Sequence, residues 1–379
     1  MGVFDADGHI WETEVVFEKL EEDFYPKRPF MLSFPLDTEG GDSNRAWVVE
    51  SKITPRISGK GLTFPAVFPG SPGSATRTAT FGDQTLQDVE ARLAAMDSFG
   101  LDQQMVYPTM FLESIVDDVR LEAALYRAYN DFLGEACAKS GGRLKWAALV
   151  PWRDPEAAVA EVERASGLGA SGVFTMGVIF DRHLDDPLFH PTFEAASEHD
   201  LPVCIHLGWG SPGATQLFTN NAFFCSAIIP VVWGFYAVMT SGLLSRVPKL
   251  RLGFIESGAQ WVPWVINQIR RQYKPPTVIR GKNPAPRRPF PGGINKELYR
   301  DPADWFHEGR AFVTFEVDED LPHLLKHLGE DALMMSTDYP HGDMSADETF
   351  VTKLQANEDI TPRVREKLLE GNASRFYRL

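Results

Sequence analysis

Cysteine is scarce in this chain: Cys137, Cys204 and Cys225 are the 3 among 379 residues. They stand far apart with no C-x-x-C pair, which excludes a disulfide framework and a thiolate zinc site, and each is expected as a small buried apolar residue. Positive charge is also short, with 37 lysines and arginines against 52 aspartates and glutamates and a net charge of -15. A phosphate backbone would have to bind against the field of the whole molecule, so nucleic acid is excluded as a partner. No stretch approaches the roughly 18 uncharged apolar residues that a membrane span requires, so no membrane partner is expected either. The opening residues 1–5 have no basic segment leading into an apolar one, and Ala6 stands where a myristoylation signal carries Ser or Thr. A cytoplasmic protein is expected. No Gly-x-Gly-x-x-Gly follows a strand-like run and opens a helix, which disfavours a doubly wound open sheet.

What is present is the balance of a globular protein, 44% hydrophobic and 23% charged. Eight apolar runs of strand length occur, at residues 3–9, 103–107, 144–151, 172–176, 202–206, 250–256, 311–317 and 332–338. Most are continuous rather than alternating, as strands covered on both faces are. Segments of helical periodicity lie between them, at 86–99, 121–140, 155–166, 187–199, 234–246 and 261–273. Strands alternating with helices mean parallel β-α-β units, and eight units close a barrel. The expected fold class is therefore α/β, a (β/α)8 TIM barrel forming one domain over residues 1–379. Two stretches fall outside the repeat. Residues 26–84 are expected as an insertion covering the barrel mouth, with a short hairpin from residues 45–50 and 53–56. Residues 274–293 are rich in proline and carry Arg280, Lys282, Arg287 and Arg288; they are expected as an exposed arm or an oligomer contact, or else a clamp for an anionic substrate.

In a barrel the C-terminal ends of the strands converge on one mouth, so polar residues at those ends matter most. The first run ends Asp5-Ala6-Asp7-Gly8-His9 and continues to Glu12; alternation puts Asp7 and His9 on one side. The fifth run ends in His206, the sixth in Glu256, and the eighth in Asp338, three residues before His341. Singly, each has an ordinary structural reading, such as a hydrogen-bonded core histidine or a capping aspartate. Together, two imidazoles and three carboxylates at one mouth bury uncompensated charge unless a cation sits among them.

The tip at Asp7-Gly8-His9, the run 201–206, the stretch 255–263 (Ile-Glu-Ser-Gly-Ala-Gln-Trp-Val-Pro) and Ser336-Thr337-Asp338-Tyr339-Pro340-His341 resemble the amidohydrolase-related family. This is the branch that includes aminocarboxymuconate semialdehyde decarboxylase and the hydroxybenzoate decarboxylases. Residues 128–133, 148–158 and 371–377 extend the resemblance over nearly the whole chain. It implies a barrel of the metal-dependent hydrolase type with metal ligands at Asp7, His9, His206 and Asp338. The common His-x-His is Asp7-x-His9 here, as in the Glu-x-His variant of some decarboxylases, and the tip Thr175-Met176 lacks the bridging lysine of the two-metal hydrolases. One zinc or manganese ion is the expected cofactor. Glu256 and Glu12 are candidate further ligands, which would favour manganese or iron or complete a second site.

The chemistry expected is decarboxylation or hydrolysis of a small carboxylated aromatic or unsaturated compound. Asp338 would carry the proton, assisted by Glu256 or His341, and His341 would alternatively orient Asp338. Trp11, Phe24, Tyr25, Met110, Phe111 and Trp209 are candidates to line an apolar pocket. Two other readings stand beside this one. The carboxylate-rich set would hold two redox-active ions in an iron or iron-manganese oxygenase. Alternatively, the chain is a noncatalytic metal-bearing subunit of a hetero-oligomer. A homo-oligomer is the default expectation, with Arg270, Arg271 and the proline-rich arm as interface candidates.

Overall fold

A computed structural model of the chain describes residues 2–33, 45–54, 80–217, 223–273, 300–342 and 344–379. Its strands are β1 (Phe4–Ile10), β2 (Phe30–Ser33), β3 (Arg45–Val49), β4 (Lys52–Thr54), β5 (Gln103–Pro108), β6 (Leu144–Ala148), β7 (Gly172–Met176), β8 (Val178–Ile179), β9 (Arg182–His183), β10 (Val203–His206), β11 (Leu252–Ile255), β12 (Ala311–Phe315) and β13 (Leu333–Met335). Eight of them form one sheet in the order β1-β5-β6-β7-β10-β11-β12-β13, with every pairing parallel. β1 and β13 meet through a short seam, where His9 N donates to Tyr339 O at 2.6 Å and Asp338 N donates to Asp7 O at 2.9 Å. The sheet thus closes on itself as a (β/α)8 barrel, and an open doubly wound sheet is ruled out.

The local sequence explains the alternation. The eight barrel strands are buried almost throughout, and β10, β11 and β12 are rich in Val, Ile, Leu and Phe. Helices Val89–Phe99, Val119–Ala138, Pro155–Gly167, Pro302–His307 and Leu321–Leu328 each begin after an aspartate whose carboxylate accepts from an amide of the first turn. Those caps, at Asp88, Asp118, Asp154, Asp301 and Asp320, satisfy amides that would otherwise lack partners and place a negative charge at the helix N-terminus.

Several strands are shorter than their apolar runs. β6 ends at Ala148, β11 at Ile255 and β13 at Met335, so residues 336–338 and Glu256 have already left the ladder. The backbone turns sharply at the last residue of two of these runs: Glu256 and Asp338 have φ of 56° and 55°, a left-handed conformation that no strand can continue. Within the insertion, β3 and β4 form the expected antiparallel hairpin, and β2 adds a third strand to it. Residues 34–44 and 55–79 of that insertion lie outside the described residues, as does the whole proline-rich stretch 274–293 with Arg280, Lys282, Arg287 and Arg288. Arg270 is held within the chain, its guanidinium donating to both carboxylate oxygens of Asp301. All three cysteines are free; Cys137 and Cys204 are buried, Cys225 partly so. Among the described residues, no helix is long and apolar enough to cross a membrane.

Candidate metal centre

The site begins with an irregularity in β1. Asp5 pairs with Gln104 and Gly8 with Val106, so three steps along β1 match two along β5. Strict alternation would point Asp5, Asp7 and His9 the same way; the bulge breaks it. Asp5 instead accepts from Gln104 Nε2 at 2.7 Å and from Thr337 N and Oγ1 at 2.9 and 2.6 Å, while Asp7 and His9 face the mouth. Burial pushes the Asp5 carboxyl up to about 6, its hydrogen bonds opposing that rise. Gly8 is required here, since a Cβ would stand 2.6 Å from the Gln104 side-chain amide.

His9 and His206 are both fully buried, and each gives its Nδ1 to a main-chain carbonyl at 2.9 Å, of Pro108 and Leu207 respectively. A carbonyl only accepts, so Nδ1 carries the proton, and in a neutral ring Nε2 is then a bare lone pair. Burial lowers the pKa of His206 despite the pull of Asp7, which favours the neutral ring. Both Nε2 atoms face oxygen. His9 Nε2 lies 3.3 Å from Asp7 Oδ1, 3.4 Å from Glu256 Oε2 and 3.4 Å from Asp338 Oδ1. His206 Nε2 lies 3.2 Å from Asp7 Oδ1 and 3.5 Å from Glu256 Oε2. Acceptor against acceptor at such distances, out of water, is repulsive unless a cation stands between them. Among the described residues, Asp7 Oδ2 and His9 Nε2 have no hydrogen-bond partner although both are buried. Nitrogen and carboxylate donors of this kind suit zinc, manganese or iron.

An outer layer orients the donors. Asp338 Oδ1 takes a hydrogen bond from His341 Nδ1 at 2.7 Å, and His341 Nε2 meets Thr109 Oγ1 at 2.8 Å. Ser345 Oγ lies 3.0 Å from Asp338 Oδ2 and 3.1 Å from Glu256 Oε1, so one hydroxyl spans two carboxylates. The His341 ring stacks on that of His9, with centroids 4.0 Å apart.

The gathered donors fall into two overlapping groups, Asp7, His9, His206 and Glu256, and His9, Glu256, Asp338 and His341. Among the described residues, Glu12 belongs to neither. Its carboxylate is spent on the loop after β5, accepting from Thr109 N at 3.0 Å and Met110 N at 2.9 Å, and burial pushes it up to about 7. The aromatic candidates separate as well. Trp11 stands against His341 with centroids 5.3 Å apart, and Trp209 is half-buried with its indole N–H donated to Ser226. Phe111 is core, packed edge-on to Tyr126 and Tyr129, and Tyr25 is exposed.

Sequence reasoning missed Thr109 and Ser345, which nothing in their neighbourhood marks. It also missed Arg92, which did leave a signal. Val89, Arg92 and Met96 share the buried face of one helix at helical spacing, and an arginine on such a face needs partners.

The chain is similar to several known proteins. A family model described as amidohydrolase matches residues 4–379. The gamma-resorcylate decarboxylase of Polaromonas sp. (strain JS666 / ATCC BAA-500) is 26% identical over 316 residues, covering 78% of this chain and 88% of that one. Among solved structures, an amidohydrolase from Mycobacterium avium subsp. paratuberculosis K-10 superposes with a TM-score of 0.77 at 19% identity, covering 99% of this chain and 97% of the other. A dihydroxybenzoic acid decarboxylase from Polaromonas sp. JS666, with bound manganese and the inhibitor 2-nitroresorcinol, gives 0.65 at 19% identity, covering 100% and 97%.

Proposed function

The chain belongs to the amidohydrolase family, and from that premise we propose that it is a metal-dependent decarboxylase of a small carboxylated aromatic acid. The observation that carries the reading is the buried cluster in which two imidazoles, each with its Nδ1 committed to a main-chain carbonyl, aim Nε2 at three carboxylates. Asp7, His9, His206 and Asp338 would hold the ion, with Glu256 completing the shell. A bound divalent ion would supply a positive charge that polarises an oxygen of the substrate.

The remaining work falls to side chains of this chain. In nonoxidative decarboxylation the bond between ring carbon and carboxylate breaks, its electron pair stays with the ring, and a proton replaces the departing CO2. Asp338 is the proton carrier in this reading, because it faces the centre and its Oδ1 is tied to His341. His341 and Thr109 hold Asp338 in place and connect it toward the partly exposed Thr109. Ser345 keeps Glu256 and Asp338 together.

The test is direct. Manganese-loaded protein is incubated with γ-resorcylate and related hydroxybenzoates in D2O, and released CO2 and ring deuterium are measured. CO2 release with deuterium at the vacated carbon supports decarboxylation; fully metallated protein that releases none overturns it. One observation favours a second reading, the overlap of two donor groups sharing His9 and Glu256. Two ions per chain, iron among them, in protein purified in air would favour an oxygenase; a single zinc or manganese excludes it.

A further inference from the structure

The seam where the barrel closes is thin, and a buried cation sits behind it. Arg92 has no exposed surface, and its guanidinium spans three elements of the site. Its Nη2 donates to His9 O at 2.9 Å and to Tyr339 O at 3.2 Å, while Nε donates to Gln104 Oε1 at 2.9 Å. His9 belongs to β1 and is itself a donor of the centre, and Tyr339 directly follows Asp338. One nitrogen therefore ties together the two chain segments that carry Asp7 and His9 on one side and Asp338 on the other. Tyr339 O also accepts the seam bond from His9 N, so a single carbonyl is shared by the seam and the guanidinium.

The charge of Arg92 is offset at one remove. Gln104 relays it to Asp5, which accepts from Thr337 on the β13 side. Tyr339 covers the guanidinium with its ring, 4.6 Å from the centroid, and donates its hydroxyl to Asp83. No carboxylate contacts the guanidinium directly among the described residues. Its orientation is therefore set by neutral oxygens, the carbonyls of His9 and Tyr339 at Nη2, the side chain of Gln104 at Nε and the carbonyl of Asp83 at Nη1 (3.4 Å), not by an ion pair.

We propose that Arg92 is a positioning residue: by clamping the carbonyls of His9 and Tyr339, it sets the separation between the Asp7/His9 side and the Asp338 side, and with it the affinity of the centre for a divalent ion. The inference rests on the metal reading above. Side chains that face one ion from opposite edges of a seam hold it well only at one separation, and partners behind metal ligands typically contribute about 10-fold to 100-fold in affinity.

The experiment measures Mn2+ binding to metal-stripped wild type, R92K, R92Q and a control, Val162→Ala, which loosens packing in helix Pro155–Gly167 away from the seam. Titration against a competing chelator gives affinity, and the Mn2+ electron paramagnetic resonance spectrum reports ligand symmetry. R92K is expected to bind about 10-fold to 100-fold more weakly, with a changed spectrum, while Val162→Ala binds as wild type does. R92K binding within twofold of wild type overturns the clamp and leaves the metal reading standing. Weakening by Val162→Ala equal to that of R92K also overturns it, because general loosening then suffices. Should both Arg92 variants fail to fold, Gln104→Met removes the relay to Asp5 and is expected to weaken binding in the same direction; unchanged affinity there counts against the proposal. Wild type that takes up no divalent ion defeats the metal reading and this inference with it.

Discussion

His206 reaches the centre from β10 with its Nδ1 committed to Leu207, so its Nε2 points one way only. His206→Ala would remove a neutral donor and leave three carboxylates facing each other. The expected result is loss of retained metal, read by elemental analysis after desalting, with an unchanged far-ultraviolet spectrum; wild-type metal content would defeat the assignment. Glu12 makes a separate prediction. Burial raises its pKa from 4.5 to about 7 in the fold. Below pH 4.5 it is protonated in both states; between 4.5 and 7 only the unfolded chain releases its proton, so stability falls as pH rises, by about 3 kcal/mol in all at 1.36 per unit. Glu12→Gln is expected to escape that fall, gaining on wild type between pH 5 and 8 in urea unfolding, whereas a pH-independent difference would contradict it. Asp7, His9, His206, Glu256 and Asp338, which the structure gathers, stand out in the sequence because each lies at the end of a strand-length run or two residues before it. The place of Glu12 was not legible, because its distance from His9 in sequence says nothing about which loop its carboxylate faces, and Ser345 was invisible because its two partners come from other elements.

At the scale of elements, the positions of all eight barrel strands could be read, but their ends could not. The apolar runs continue to Glu256 and Asp338, yet the backbone turns left-handed at both, so the residues with the chemistry sit just beyond the ladder. Period and composition carry no information about that turn. The hairpin β8–β9 was also not foreseen. It follows β7 and is fixed by a close approach: a Cβ on Gly177 would lie 2.0 Å from the carbonyl oxygen of Pro230 in helix Ile229–Thr240. Gly177→Ala must push hairpin and helix apart, and overpacking of this kind costs about 1–3 kcal/mol. Its melting temperature should drop by several degrees, and an unshifted transition would show that the contact relaxes freely. The bulge in β1 escaped for the same reason as the strand ends. Strict alternation predicts Asp5 among the donors, and only pairing with β5 reveals that it faces Gln104 and Thr337.

The molecule as a whole is acidic, with a net charge of -15, and it buries three of its carboxylates beside one another at the barrel mouth. Binding a divalent ion only in the folded state stabilises it by about 2.7 kcal/mol at a free concentration 100 times the dissociation constant. Stripping the protein with a chelator should therefore lower its melting temperature, and restoring Mn2+ should raise it in proportion to the logarithm of concentration; a transition indifferent to both would mean the carboxylates tolerate one another unaided. The barrel was legible as a whole because eight buried runs separated by amphipathic helices have few other ways to hide their surface. The seam that joins its first strand to its last has a consequence for how the protein is made. Asp338 is translated long after Asp7 and His9, so for tens of seconds, at about 5–20 residues per second, a nascent chain carries one side of the seam without the other. A centre that uses Asp338 therefore takes its final form only once β13 is in place and the seam to β1 has closed.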